Sequence, residues 1–424
     1  MRFVSTRGSS PAATLSEAVE RGLAPDGGLY VPEAFPSVAL DTLRAARDLP
    51  SIAHALLGPF FEGDQLEPLL PEICAEAFSF PAPLKMLPRD TAVLELFHGP
   101  TAAFKDFGAR FLAAVLSRIQ KPGADPLTVL VATSGDTGGA VAAAFAGRPG
   151  FEVAVLYPKG MVSERQERQL TCWGGNVKAL RVKGDFDACQ RLVKEAFQDE
   201  TVRAGRRLTS ANSISLGRLL PQMVYYVSAS LEYEREKGVA PGFIIPSGNL
   251  GNATACFWAK KVGLPIREIV LATNANPTLT RFLNEGAWQP HPTVTTLASA
   301  MDVGNPSNME RLLQLHGGEE PTRGSVRARM VSDSEIQQSI REGLRSWSEI
   351  WDPHTATAVV VREALDSPHW VLVSTAHPAK FEGIVEPLVG REVEIPPALA
   401  ELLHRPMSYV EIEPQLTDVV AALR

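Results

Sequence analysis

Residues 97–108 place a single lysine between two phenylalanines. The segment reads Phe-His-Gly-Pro-Thr-Ala-Ala-Phe-Lys-Asp-Phe-Gly, so Lys105 comes shortly after a Gly-Pro turn. Aromatic neighbours would partly desolvate the amine, and desolvation lowers the pKa of an ammonium group, as Schiff-base chemistry requires. The alternative is a surface lysine whose aliphatic chain packs on phenylalanine. The segment taken by itself leaves both interpretations open.

Two glycine-rich segments each lie between a predicted strand and a predicted helix. Residues 134–139 read Ser-Gly-Asp-Thr-Gly-Gly, and residues 247–252 read Ser-Gly-Asn-Leu-Gly-Asn. Free amides at a helix N-terminus bind phosphate or carboxylate, and glycine lets the backbone approach such an anion closely. A plain strand-to-helix turn also favours serine, glycine and aspartate, which is the alternative for the first segment. The second matches neither the dinucleotide fingerprint nor the P-loop pattern, which disfavours nicotinamide and nucleotide cofactors.

Polar side chains are also concentrated in residues 210–218 and 371–378. In the first segment Asn212, Ser213 and Arg218 could bind a phosphoester through an amide, a hydroxyl and a forked guanidinium. The alternative is an ordinary helix start capped by serine or asparagine. The second segment ends a strand in hydroxyls, where open α/β sheets place ligand groups. We interpret His377, which follows, as structural rather than catalytic.

The elements around these segments alternate between strand and helix. A first series begins near residue 127 and a second at residue 242, with apolar, β-branched runs separated by helical patterns. Predicted strands are residues 127–133, 151–157, 176–182, 242–246, 268–273 and 370–374; predicted helices are residues 140–145, 163–170, 253–261, a charged one around 231–237, and one capped by Asp185.

We therefore predict the α/β class, with two parallel-sheet domains and an N-terminal, mostly helical segment. Residues 14–17 form a capping box that would open its first helix. The predicted division is residues 1–92 for the N-terminal segment, packing on the large domain. Residues 93–225 form a smaller domain that carries Lys105 and the 134–139 loop, and residues 226–424 form the large domain with the 247–252 loop.

Composition limits the classes of partner and location. The 424 residues are 45% hydrophobic and 21% charged, and the formal net charge is -7 without a long basic run, which disfavours nucleic acid or an anionic membrane as a partner. No stretch approaches the roughly 20 apolar residues that span a bilayer. The 4 cysteines show neither disulfide nor metal-site spacing. We expect a cytoplasmic protein without a metal.

Taken together, the segments resemble the threonine synthases of the shorter bacterial and fungal type, within the fold-type II pyridoxal-phosphate enzymes. Each motif is moderately specific, whereas their order and spacing are highly specific and cover nearly the whole chain. The matching segments are residues 5–8, 22–30, 98–107, 133–139, 210–218, 247–252, 302–308 and 375–381.

The resemblance implies pyridoxal 5'-phosphate as the cofactor and a role for each motif. Lys105 would bind the cofactor covalently and act as the catalytic base. The phosphate of the cofactor would lie against Gly248, Asn249, Leu250, Gly251 and Asn252, and its pyridine nitrogen against Thr375. The substrate carboxylate would meet Ser134 and Thr137, and its phosphate Asn212, Ser213 and Arg218. The role of Asp136 stays open, because many other fold-type II enzymes have asparagine there.

The activity implied by the resemblance converts O-phosphohomoserine and water to threonine and phosphate. One alternative is another fold-type II enzyme, such as a threonine dehydratase or a cysteine synthase; the Pro-Asp-Gly-Gly segment at residues 25–28 and the 212–218 segment argue against it. The other is a catalytically silent protein that binds the cofactor, which the intact Lys105 and anion loops disfavour. Monomer and dimer both remain open.

Overall fold

The computed structural model describes residues 1–121 and 123–423. Over these residues the chain forms three sheets. Their strands are β1 (Phe3–Ser5), β2 (Tyr30–Pro32), β3 (Leu84–Leu87), β4 (Thr91–Glu95), β5 (Leu127–Ala132), β6 (Phe151–Pro158), β7 (Val177–Val182), β8 (Arg207–Ser210), β9 (Gly242–Pro246), β10 (Ile269–Thr273), β11 (Arg327–Met330), β12 (Trp370–Ser374) and β13 (Val410–Ile412).

Helices cover both faces of the larger sheets. They are α1 (Leu15–Arg21), α2 (Leu40–Ala45), α3 (Leu49–Phe61), α4 (Leu70–Ala77), α5 (Lys105–Ile119), α6 (Asp136–Phe145), α7 (Glu164–Thr171), α8 (Phe186–Gln198), α9 (Glu200–Gly205), α10 (Leu216–Leu219), α11 (Gln222–Lys237), α12 (Gly251–Lys261), α13 (Thr278–Glu285), α14 (Met309–His316), α15 (Glu319–Ser325), α16 (Asp333–Ser346), α17 (Pro353–Glu363), α18 (Glu382–Val389), α19 (Pro397–Leu403) and α20 (Leu416–Leu423). Short 3₁₀ helices lie at Glu67–Leu69, Ser299–Met301 and Pro378–Phe381.

The first large sheet is parallel throughout and has the strand order β13-β7-β6-β5-β8. The inner strand β5 has the sequence Leu-Thr-Val-Leu-Val-Ala and is buried at every position, as expected for a parallel strand covered by helices on both faces. Asp185 caps α8 by accepting a hydrogen bond from the backbone N–H of Ala188 at 2.8 Å. The strand-helix series predicted from residue 127 is confirmed.

The second large sheet has the order β11-β10-β9-β12-β4-β3. Its strands are parallel except β3, which pairs antiparallel with β4 at one edge. The predicted strands at residues 242–246 and 370–374 match β9 and β12. Both parallel-sheet units of the predicted α/β fold are therefore present.

The N-terminal segment is mostly helical, as predicted, and α1 begins with the expected capping box. Thr14 accepts from the backbone N–H of Glu17, whose carboxylate accepts in return from the N–H of Thr14. The N-terminal segment contacts residues of both predicted domains. Glu20 forms an ion pair with Arg207 at 2.9 Å, while Thr6 donates to Glu310 at 2.8 Å. The prediction that it packs on the large domain is thus incomplete.

Strand pairing departs from the predicted domain boundaries at two places. The boundary between residues 92 and 93 falls inside β4, which pairs with β12 in the six-stranded sheet. Residues 226–424 were assigned to one domain, yet β13 pairs with β7 of the five-stranded sheet. The chain therefore crosses between the two sheets near both ends, while the division into domains itself stays a prediction.

The cysteines are Cys74, Cys172, Cys189 and Cys256, and all are buried free thiols. In the part of the chain that the structure describes, no helix combines the length and the apolar character needed to cross a lipid bilayer.

Candidate active site

A cavity of about 130 Å³ brings together the side chains and loops predicted from the sequence. The cavity lies at the carboxyl ends of β5, β8, β9 and β12, because the segment that follows each of these strands contributes to its lining. The predicted residues that line it are Lys105, Ser134, Thr137, Asn212, Ser213, Arg218, Gly248, Asn249, Leu250, Gly251, Asn252 and Thr375.

Lys105 is the first residue of α5 and is largely enclosed. Its side chain is 14% exposed, with Nζ 3.7 Å from Oδ2 of Asp136 and 5.0 Å from the centre of the Phe104 ring. Burial lowers the pKa of this amine; Asp136 acts in the opposite direction, but Lys380 and Arg218 add to the lowering. Lys105 is therefore not the surface lysine of the alternative interpretation, and the lowered pKa makes its neutral, nucleophilic form more accessible than that of a free lysine.

Asp136, whose role the sequence left open, starts α6 at the floor of the cavity. Its Oδ1 lies 2.9 Å from Nζ of Lys380 and accepts a hydrogen bond from Gln166 at 3.0 Å. Burial raises the pKa of this carboxyl, but Lys380 and Lys105 outweigh burial and hold the pKa below its usual range. Asp136 is therefore a buried anion that faces two lysines.

The 247–252 loop has the geometry of an anion-binding turn. Leu250 has a left-handed backbone with φ of 61°, and α12 begins at the next residue, so its first amides lack intrahelical partners. A Cβ on Gly248 would come within 2.6 Å of the Cα of Met301. Glycine is required there because the backbone of the neighbouring loop passes so close.

Asn249 connects this loop to two other segments of the site. Its amide nitrogen donates to Oγ of Ser213, and its amide oxygen accepts from the backbone N–H of Ser307 at 2.6 Å. Asn308 donates to the backbone carbonyl of Asn249 at 3.0 Å. The glycine-rich loop, the 212–215 segment and the 307–308 segment therefore hold one another in place.

Arg218 is a buried cation with an unused donor. It is 2% exposed, and its Nη1 donates to the carbonyl of Ala211 at 2.5 Å. Within the described chain its Nε has no hydrogen-bond partner, nor has Oδ1 of the nearby Asn212. Burial lowers the pKa of Arg218 to about 10, against the influence of Asp106. Arg218 lines the cavity and forms no ion pair with a carboxylate of the described residues, which suits an anionic ligand there.

The far side of the cavity carries Thr375 and His354. Thr375 follows β12 and is 5% exposed, and its carbonyl accepts from the N–H of Phe104 beside Lys105 at 2.9 Å. The Nε2 of His354 accepts from the N–H of Ala300 at 3.0 Å, so Nδ1 carries the proton that bonds Asp352 at 2.8 Å.

Sequence reasoning missed Lys380, His354 and Arg311 as contributors to the site. Lys380 lies in the 375–381 motif, but its contact with Asp136 is visible only in the fold. His354 belongs to no recognisable sequence motif, and its contact with Ala300 is likewise visible only in the fold. His377, interpreted as structural, is not among the residues that line the cavity. Burial lowers its pKa to about 4, and its ring caps the 3₁₀ helix at Pro378–Phe381.

Comparisons with known proteins assign the chain to a family. Residues 81–375 match the model of the pyridoxal-phosphate dependent enzymes, residues 2–78 that of the threonine synthase N terminus and residues 355–423 that of the threonine synthase C-terminal region. Threonine synthase of Haemophilus influenzae is 40% identical over 417 residues, which cover 97% of this chain and 96% of that protein. The chain belongs to the threonine synthase family.

Solved structures of family members have the same fold. The crystal structure of threonine synthase from Escherichia coli superposes with a TM-score of 0.92 at 37% identity, covering 100% of this chain and 99% of that one. A threonine synthase from Brucella melitensis, solved with pyridoxal phosphate bound, gives a TM-score of 0.91 at 35% identity and covers 99% and 98%. The resemblance drawn from the sequence motifs is confirmed, and so is the fold-type II class.

Proposed function

We propose that this chain is a threonine synthase that converts O-phosphohomoserine and water into L-threonine and phosphate, with pyridoxal 5'-phosphate as its cofactor. The observation that carries the proposal is family membership over nearly the full length, in a chain whose cavity joins a buried amine to an unpaired arginine. An amine binds an aldehyde and a guanidinium binds a phosphoester, so one cavity accommodates both the cofactor and a phosphorylated substrate.

The residues of the cavity fit the cofactor. Lys105 supplies the amine for its aldehyde, and the turn around Leu250 with the start of α12 supplies amides for its phosphate. Asn252 has an unpartnered Nδ2 at the cavity, since only its Oδ1 is used, by the hydroxyls of Tyr225 and Tyr226. Thr375, which lines the cavity, would hold the pyridine nitrogen with its hydroxyl. When bound, pyridoxal phosphate supplies a conjugated ring that holds the electron pair left at Cα.

The chain's own residues then perform the proton transfers and bind the charges. Lys105 would take the proton from Cα of the substrate and later return it, because its lowered pKa makes the neutral amine more available. Arg218, Asn212 and Ser213 bind the phosphate and stabilise its charge as it leaves Cγ. Loss of a proton from Cβ accompanies the departure of the phosphate, a proton is added at Cγ to give the methyl group, and water then adds at Cβ.

The substrate carboxylate lies at the start of α6. Ser134 and Thr137 are partly exposed and line the cavity there. The Oγ1 of Thr133 accepts from the N–H groups of Gly135 and Gly138, both at 2.9 Å, which fixes the turn. A helix start with two free hydroxyls suits a carboxylate, and this places the two anionic ends of the substrate on different loops.

We also place the protein in the cytoplasm. The four buried cysteines are free thiols, which suits a reducing compartment.

The test is turnover of O-phosphohomoserine by the purified, cofactor-loaded protein, with phosphate and threonine measured together. We expect equal amounts of both products, and loss of both products and of the near-visible absorption in Lys105→Ala. Conversion of threonine to a 2-oxo acid without phosphate release would favour a threonine dehydratase. A bound cofactor without any turnover would indicate the catalytically silent alternative.

A further inference from the structure

Two lysines share one carboxylate at the floor of the cavity. Nζ of Lys380 lies 2.9 Å from Oδ1 of Asp136, whereas Nζ of Lys105 lies 3.7 Å from Oδ2. Lys380 also donates to the carbonyl of Thr101 at 2.7 Å. Its side chain has no exposed surface, and none of the chemistry described above uses it.

We propose that Lys380 is a positioning residue that engages the charge of Asp136 and thereby keeps the amine of Lys105 neutral and ready to react. This inference rests on the proposed function only for the role of the neutral amine, which is to bind the cofactor and to act as a base. The distances between Lys105, Asp136 and Lys380, their burial, and the ratio of two lysines to one carboxylate are observed in the chain and do not depend on the proposed function.

The geometry decides which lysine pairs with Asp136. Lys380 is fully buried, and among the described residues Asp136 is the only carboxylate with which it forms an ion pair. An unpaired buried ammonium group is costly in free energy, so Asp136 pairs with Lys380 in preference to Lys105. Lys105 is farther from the carboxylate and 14% exposed, and it can release its proton without leaving an unpaired buried charge.

Other charged groups around the cluster do not reverse this assignment. Arg218, on α10, lowers the pKa of Lys105, as do Lys380 and burial itself. His354, on α17, bonds Asp352 through Nδ1 and accepts from Ala300 at Nε2, so it does not compete for Asp136. The second nearby carboxylate, Asp106, has its own donors.

Asp106 belongs to α5 and is satisfied locally. Its oxygens accept from the backbone N–H of Thr101 at 2.8 Å and from its hydroxyl at 2.7 Å. Burial raises the pKa of Asp106, and the described chain contains no ion pair that includes it. It therefore does not replace Asp136 as the partner of Lys380.

The experiment titrates Lys105 directly in the full-length protein after removal of the cofactor. Brief acetylation with acetic anhydride across a pH series, read by mass spectrometry of the peptide that contains Lys105, gives the pH at which its amine becomes reactive. In Lys380→Met we expect that midpoint to rise by about one unit or more, because Asp136 becomes free to hold the Lys105 proton. An unchanged midpoint in folded Lys380→Met overturns the proposal.

Arg165→Met is the matched control for structural loosening. Arg165 donates to the carbonyl of Ala379 at 2.6 Å and so holds the same 3₁₀ segment, but it is absent from the groups that shift the pKa of Lys105. The midpoint in this variant should equal that of the wild type. A rise equal to that of Lys380→Met would mean that loosening, not charge, is responsible, and would overturn the proposal.

A double variant keeps the test decisive if Lys380→Met does not fold. Lys380→Met combined with Asp136→Asn removes both buried charges at once. Asp136 raises the pKa of Lys105 and Lys380 lowers it, so the two losses should offset each other and the midpoint should stay close to that of the wild type. A fall of more than about one unit would show that Asp136 chiefly serves Lys105, contrary to the proposal. The labelling needs neither cofactor nor substrate, so failure of the proposed activity would be seen separately, as missing phosphate release.

Discussion

Arg218 and Lys105 are both basic side chains that line the cavity, but they differ in what holds them. Lys105 faces a carboxylate at 3.7 Å. The guanidinium of Arg218 bonds a backbone carbonyl and leaves Nε free. A buried arginine without a carboxylate is destabilised until an anion arrives, so Arg218 should contribute more to binding the departing phosphate than to folding.

We therefore predict that Arg218→Ala slows phosphate release strongly while the protein keeps its cofactor. Loss of one donor to a developing charge typically costs about 10²–10³ in kcat. The measurement is steady-state phosphate release beside the near-visible absorption of the cofactor. Arg218→Lys, which keeps the charge but not the fork, should recover part of the rate. Phosphate release within about threefold of the wild type in Arg218→Ala would mean that the arginine is structural.

At the scale of single residues, sequence motifs located many of the residues that line the cavity, but neither His354 nor the residues that support the lining. Lys105, Arg218 and Thr375 lie within recognisable segments and reach one cavity. Lys380 and Arg311 act on groups far away in the chain, Thr101 and Tyr30. These contacts join segments that are far apart in the chain, and no spacing pattern in the sequence marks them, even though Lys380 itself lies in the 375–381 motif.

Among the elements, the two glycines of the 247–252 loop face different surroundings. A Cβ on Gly248 would lie 2.6 Å from the backbone Cα of Met301 and 3.0 Å from its carbonyl carbon, whereas a Cβ on Gly251 would meet Ser213 and Asn308 side-chain atoms at 3.4 Å. Backbone cannot move aside as a side chain can. The loop therefore tolerates a methyl group at one glycine far better than at the other.

We predict that Gly248→Ala weakens cofactor retention at least tenfold and that Gly251→Ala changes it by less than about threefold. The clash in the first variant must displace either the loop or the segment around Met301, which misplaces the amides that bind phosphate. Dialysis of loaded protein, followed by the near-visible absorption, measures the retention. Equal losses in both variants would mean that this loop does not hold the cofactor phosphate.

Element boundaries were predicted best where a strand is bounded by turn residues. The strands at residues 242–246 and 370–374 begin and end as predicted. Helix α6 begins at Asp136 rather than at residue 140, because Gly138 and Gly139 read as a turn although they fold into its first turns. Seven strands in the described part of the chain were not predicted: β1, β2, β3, β4, β8, β11 and β13. β3 is only half-buried and shows no clear alternation, while β4 is a short buried run next to helical patterns.

In the molecule as a whole, the N-terminal segment is held against the site by Arg311. This residue of α14 is fully buried. Its guanidinium donates to the carbonyl of Tyr30 at 3.0 and 3.1 Å, to that of Ile214 at 2.8 Å and to Oδ1 of Asn308 at 2.7 Å. Burial lowers its pKa to about 9. One side chain thus joins the N-terminal segment, the 212–215 segment and the 307–308 segment.

We predict that Arg311→Met lowers the free energy of unfolding by about 3 kcal/mol or more, because several buried acceptors lose their donor. Urea unfolding of the cofactor-free protein measures the change. The matched control is Arg7→Met, since Arg7 joins the N-terminal segment to the same helix through Glu310 at 2.9 Å but is 52% exposed. An exposed pair of this kind contributes at most about 1 kcal/mol. If Arg311→Met lowers the free energy of unfolding no more than Arg7→Met does, the N-terminal segment is held by its apolar contacts, and Arg311 does not stabilise its position against the site.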